Sequence, residues 1–178
     1  MKAHKGMRPQ DIVVLLKIFS LGEEDWLNKD LSNSLFISQS EISESLNRSL
    51  YAGLIGIDKK TIQKSALFGL LVYGIKYMFP AQAGTLAKGI PTSSSAPILR
   101  DDFPNENTLV WPDPKMETRG LLIEPLYPKV VEAVKLDPML YDLLSLADTF
   151  RVGNDKEVAR AKALLSNIFG QGEDYISC

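Results

Sequence analysis

Cysteine and histidine are nearly missing from this 178-residue chain, which holds one of each, Cys178 and His4. One cysteine cannot form an intrachain disulfide, and such usage points to a reducing, cytoplasmic setting. One histidine removes the material for a Ser-His-Asp triad, a histidine metal site or a zinc site. Long apolar runs are lacking as well. The longest, Ala66 to Phe79, is interrupted by Lys76 and falls short of the roughly 20 residues that a membrane span needs. The opening residues Met1-Lys2-Ala3-His4-Lys5 are basic, but they lead into an amphipathic helix and not into the apolar core of a signal peptide. We therefore expect a cytoplasmic protein that is not an enzyme, with no cofactor, no metal and no membrane contact.

What is present is ordinary for a globular chain. Hydrophobic residues make up 45% and charged residues 24%, too apolar a mixture for disorder. The net charge of −2 conceals an asymmetry: residues 1–100 carry twelve Lys/Arg against eight Asp/Glu, whereas residues 101–178 carry eight against fourteen. A basic half joined to an acidic half suits a polyanion-binding module carried by a partner-facing one.

Several chemical signals fail. Gly84-Thr85-Leu86-Ala87-Lys88-Gly89 matches the G-x-x-x-x-G part of a phosphate loop, but Ile90-Pro91 follows where Lys-Ser/Thr is required. Asp101, Asp102 and Asp113 lie in a proline-rich stretch, where solvated loop carboxylates are expected rather than a metal or acid-base site. Trp26 and Trp111 are expected to pack in the core.

The periodicity is helical over most of the chain. Pro9 can open a first helix running to Leu21, with Ile12, Leu15, Leu16 and Phe19 on one face. A second is expected over Asn28 to Leu35, with Asn28 as N-cap. A third begins at Ser38, where Ser38 and Glu41 form the S-x-x-E pattern of a capping box, and it stops near Gly53. Asp58 is then expected to cap a long fourth helix ending at Pro80. Its apolar positions Ile62, Leu67, Leu70, Leu71, Ile75 and Met78, widened by Phe68, Val72 and Tyr73, require burial in this chain's core or against a second copy. Residues 80–128 hold eight of the ten prolines, which argues against long helices or central strands. Short extended pieces at Thr108 to Trp111 and Leu121 to Glu124 can still pair. Helices return over Val130 to Val134, Pro138 to Phe150, and from about Asn154 to Ile168. Gly170 to Cys178 reads as a loose tail.

Residues 28–51 have the pattern of a helix-turn-helix, in which two helices cross a tight turn so that the second can enter the major groove. Leu31, Leu35, Ile37, Ile42 and Leu46 would form its small core. Ser32, Asn33, Gln39, Ser40, Ser43 and Asn47 would face outward. The turn position that usually holds Gly is Phe36; a bulky residue is costly at positive φ, so an altered turn is expected.

With its preceding helix, the stretch 9–55 resembles the winged helix-turn-helix domains of the MarR (multiple-antibiotic-resistance regulator) type. The resemblance is carried by Ile37-Ser38-Gln39-Ser40-Glu41-Ile42-Ser43, by Trp26 and by Tyr51-Ala52-Gly53-Leu54-Ile55. It implies a hairpin wing directly after the third helix. The expected long helix occupies that place, so the wing is sought in Ala81 to Pro97, around Lys88. The remainder is similar to a group of uncharacterised bacterial proteins that share this start, through Tyr77-Met78-Phe79-Pro80, Trp111-Pro112-Asp113-Pro114 and Pro125-Leu126-Tyr127-Pro128. That similarity implies a regulator in a small defence or toxin-linked operon.

The expected architecture is mainly α. It comprises a helix-turn-helix region with a long fourth helix (1–79), a proline-rich wing or arm (80–128) and a C-terminal helical region (129–170) packed on the first as one compact unit. The expected function is a homodimeric, sequence-specific transcriptional regulator, most simply a repressor, that binds double-stranded DNA. Gln39, Ser40, Ser43, Glu44 and Asn47 would face base edges, and Arg48, Lys59, Lys60, Lys64 and Lys88 would contact phosphates. The alternative is a protein-interaction module, such as an antitoxin-like or adaptor subunit, whose acidic half engages a partner encoded nearby.

Overall fold

A computed structural model describes residues 6–104 and 107–170; His4, Cys178 and the expected tail beyond Gly170 lie outside them. The chain is mainly helical with one small three-stranded sheet. It divides into two compact units, residues up to Leu67 with Leu126–Leu140, and Phe68–Pro125 with the residues from Tyr141 onward. The first division thus falls at residue 67 and not at 79, and a short segment of the C-terminal half belongs with the N-terminal helices.

The first unit is built on three mutually packed helices, α1 (Pro9–Leu21), α2 (Asn28–Leu35) and α3 (Gln39–Tyr51). Each start is held by a carboxylate or hydroxyl reaching a free amide. Asp11 accepts from the Arg8 N–H (2.7 Å), and Asp30 from the Leu27 N–H (2.8 Å). The cap of α2 is therefore Leu27 and not Asn28, which is already helical. Ser38 Oγ accepts from the Glu41 N–H, but the Glu41 carboxylate does not return to Ser38 and is used elsewhere, so only half of the expected capping box forms. Ile12, Leu15, Leu16, Leu31, Leu35, Ile37, Ile42 and Leu46 are all buried, each full burial of such a side chain contributing about 1.5–3 kcal/mol. Helix α7 (Val130–Ala133) packs on α2, and Asp137 accepts from Lys17 Nζ and Ser20 Oγ, both at 2.7 Å.

Two expectations about the turns change. Phe36 takes the left-handed conformation itself, at φ 57° and ψ 37°, so the strain of the turn is borne by the phenylalanine. Its carbonyl accepts from the Tyr127 hydroxyl at 2.9 Å. After α3, the chain does not enter a helix at Asp58. It makes a short hairpin, with Ile55 bridged to Ile62, Gly56 N–H donating to Thr61 O (2.8 Å) and Gln63 N–H to Leu54 O (3.0 Å). The next helix, α4 (Lys64–Gly69), begins six residues later than expected; it runs through a π-turn at Leu70–Gly74 into α5 (Ile75–Met78). Leu67, Phe68, Leu71 and Ile75 are buried, whereas Tyr73, Tyr77 and Met78 are exposed.

In the second unit, β1 (Leu86–Pro91) pairs antiparallel with both β2 (Leu109–Pro112) and β3 (Arg119–Leu122), and β2 pairs parallel with β3, so three strands close on themselves, with the short α6 (Pro97–Arg100) between β1 and β2 in the chain. The closure needs glycine at two places. A Cβ at Gly89 would lie 1.9 Å from the Trp111 carbonyl oxygen, and one at Gly120 would lie 2.4 Å from that of Thr108. Residues 81–97 therefore supply one strand of this closed sheet and not a projecting wing. Trp111 is buried, and its Nε1–H donates to Asp148 (2.6 Å), which also accepts from Thr92 Oγ1 (2.9 Å) and Arg151 Nη1 (2.7 Å). Burial pushes the Asp148 carboxyl up, opposed by the Arg151 charge and these donors. Asp148 lies on α8 (Pro138–Val152), which is followed by α9 (Asp155–Phe169). Helix α9 opens on a reciprocal capping box between Asn154 and Glu157. Asp113 departs from expectation: it is buried and not solvated, with its carboxylate accepting from the Lys115 N–H. Asp102 is exposed and pairs with Arg160 at 2.7 Å.

Candidate nucleic-acid interface

The outer face of α3 is polar and clearly sorted from its inner face. At about 100° per residue, Gln39, Ser43, Asn47, Ser40 and Glu44 cover an arc of about 140°. Four of the five are exposed and Ser43 is half-buried. The opposite arc holds Ile42, Ser45, Leu46 and Ser49, all buried. Ser45 and Ser49 keep this inner face narrow, and their hydroxyls have no hydrogen-bond partner among the described residues. Tyr51, four residues beyond Asn47, extends the outer arc and is exposed.

Arg48 departs from its expected role as a phosphate contact. It is 6% exposed, and its guanidinium donates to both carboxylate oxygens of Asp11, from Nε at 2.8 Å and Nη2 at 2.7 Å. This pairing raises the guanidinium pKa above its ordinary value, chiefly through the hydrogen bond to Asp11. Glu41 lies beside the pair, bonded to Gln10 Nε2 and to Arg8 Nη1 (3.3 Å). Glu41 and Arg48 thus fix α3 against α1, and neither belongs to the outer face.

The hairpin and the start of α4 bring three cations to the same unit. Lys59 Nζ donates to Asn47 Oδ1 at 2.7 Å, which ties the hairpin turn to the outer face of α3. Lys60 pairs with Asp25 at 3.5 Å and lies over the Trp26 ring; Lys64 lies over the Phe19 ring. Lys59 is held at positive φ (54°). The turn is kept in shape by Asp58, whose carboxylate accepts from the N–H groups of Lys60 and Thr61, both at 3.0 Å, and from the Thr61 hydroxyl. These bonds, the Thr61 hydroxyl first, hold the Asp58 carboxyl down at about 2. Ile57, beside it, is 92% exposed.

A cleft of about 350 Å³ joins these parts, lined by Asn28 at the start of α2, Ser43 and Leu46 of α3, and Asp58, Lys59 and Lys60 of the hairpin. Lys29, also at the start of α2, is exposed. Of the expected site residues, the structure therefore gathers Gln39, Ser40, Ser43, Glu44, Asn47, Lys59, Lys60 and Lys64 within the first unit. Lys88 is on β1 of the second unit, near Glu117 (3.5 Å). Sequence reading missed Asp11, Tyr51 and Lys29, and it missed the hairpin. The hairpin's local signals are Ile55, Ile57 and Ile62 and the turn-forming Asp58, too few residues for a period-2 pattern.

Among the described residues, no group of three or more His, Cys, Asp or Glu is placed to hold a metal ion, and no helix is long and apolar enough to cross a membrane. No protein-family profile matches the chain, and no curated protein or solved structure matches it.

Proposed function

We propose that this protein is a sequence-specific DNA-binding regulator whose first unit is a winged helix-turn-helix, with α3 as recognition helix and the hairpin 54–63 as a short wing. One observation carries the reading. A polar, exposed helix face is bonded directly, through Asn47 and Lys59, to a lysine-bearing hairpin. A helix in the major groove reads base edges with such side chains, and cations beside it fix its register on the phosphates. Lys59, Lys60, Lys64 and Lys29 take the phosphate role that the buried Arg48 cannot. Two-fold pairing would present two such helices to half-sites about one helical turn, roughly 34 Å, apart; exposed Tyr73, Tyr77 and Met78 offer apolar surface for that pairing.

The test is footprinting of the whole protein on the promoter of its own gene, with competitor DNA, over a salt series. The reading predicts a protected, two-fold symmetric site and a complex that weakens steeply with salt. A second reading, a protein-interaction module, is favoured by the charge of the outer face of α3, where Glu44 is the one ionised group once Arg48 is paired with Asp11. A stoichiometric partner retained at high salt, with no footprint, would favour that reading.

A further inference from the structure

Resting on the DNA-binding reading above, we infer that α3 reads adenine and cytosine in its half-site and does not read guanine. Guanine in the major groove shows only acceptors, O6 and N7, and is read by the paired donors of Arg or Lys. Arg48 is the only cation on α3, and it has spent Nε and Nη2 on Asp11 inside the unit. Withdrawing it would leave a buried carboxylate unpaired, a larger cost than one base contact returns.

The side chains that do face outward select other bases. Gln39 is exposed and makes no side-chain hydrogen bond among the described residues; its amide matches the N6 donor and N7 acceptor of adenine. Asn47 has the same capacity, and Lys59 settles its orientation. An ammonium only donates, so the Asn47 oxygen must face Lys59, which leaves the amide N–H groups directed away from the hairpin. The oxygen keeps a second lone pair for the adenine amino group. Glu44, also exposed, accepts from the cytosine amino group and repels the two acceptors of guanine. Ser40 and Ser43 tolerate either partner and add little selectivity.

The experiment is selection of duplexes by the whole protein from a randomised pool, followed by affinity measurements on the enriched site and on single-base variants at fixed salt. Adenine is expected at two read positions and cytosine at a third, and changing that cytosine to guanine should weaken binding about tenfold. Glu44→Gln, at an exposed position, should lose most of the cytosine preference and gain adenine at that base. G·C pairs at all three read positions, or an unchanged preference at the Glu44-read pair in Glu44→Gln, overturns the inference while the DNA-binding reading stands. Failure to enrich any sequence from the pool overturns both.

Discussion

Arg48 and Asp11 meet inside the three-helix unit, each using two atoms on the other, and Asp11 also accepts the backbone N–H of Arg8. One carboxylate thus closes the first turn of α1 and anchors the C-terminal half of α3, so the presentation of the outer face depends on a pair hidden behind it. Removing one partner leaves a charge buried without compensation. Asp11→Asn is expected to lower stability by about 3–5 kcal/mol, read from denaturant unfolding. The double change Asp11→Leu, Arg48→Met should recover most of that loss, because neither charge is then stranded. A double variant no more stable than the single one would show that the pair contributes through something other than charge compensation.

The hairpin 54–63 carries a pH dependence of defined sign. The Asp58 carboxyl is held at about 2 against an ordinary 3.8, so its folded pKa is depressed. Its contribution is complete above about pH 4 and is lost as the pH falls through about 2. The amide resonances of Lys60 and Thr61 should therefore titrate with a midpoint near 2, and Asp58→Ala should abolish that transition. A midpoint near 3.8 would mean that the Thr61 and Lys60 bonds do not persist in solution.

Phe36 stores strain that glycine would release. The residue is 47% exposed and its backbone is left-handed, a region costing a non-glycine residue roughly 1–2 kcal/mol. After the larger unfolded-state entropy of glycine is subtracted, Phe36→Gly should raise stability by about 1 kcal/mol. Lower stability would mean that the ring packs more usefully than its exposure implies.

The closed sheet makes an opposite prediction. Gly89→Ala drives a Cβ into the Trp111 carbonyl, a backbone clash that no side-chain rotation relieves. A loss of about 3 kcal/mol or more is expected in thermal or denaturant unfolding. Gly84→Ala is the matched control, because its Cβ meets nothing nearer than 3.4 Å, and it should unfold much as the parent does.

The helices and the inward and outward faces of α3 were legible in the sequence because both follow from local period and capping chemistry. Leu31, Leu35, Ile42 and Leu46 repeat at helical spacing, and Gln39, Ser43 and Asn47 fill the gaps. What was not legible depends on partners distant in sequence. Arg48 reads as a surface cation until α1 brings Asp11, 37 residues earlier, against it. Asp113 reads as a solvated loop carboxylate until its N–H bonds to the Lys88 carbonyl of β1 and the residue is buried there. The hairpin at 54–63 was hidden for the reverse reason: Asp58 is as good a helix cap as it is a turn former, and the apolar stripe beyond it favoured the longer helix.

The central claim, that α3 and the hairpin together bind duplex DNA, is tested most directly by the salt dependence of affinity in two variants measured beside the wild type. If Lys59 and Lys60 neutralise phosphates, the slope of log K against log salt should shrink by about 2 in Lys59→Ala, Lys60→Ala. Asn47→Ala should leave the slope nearly unchanged and reduce the preference for the selected duplex over a scrambled one by about tenfold. Equal slopes in the wild type and the lysine variant, together with a sequence preference that survives Asn47→Ala, would contradict the account.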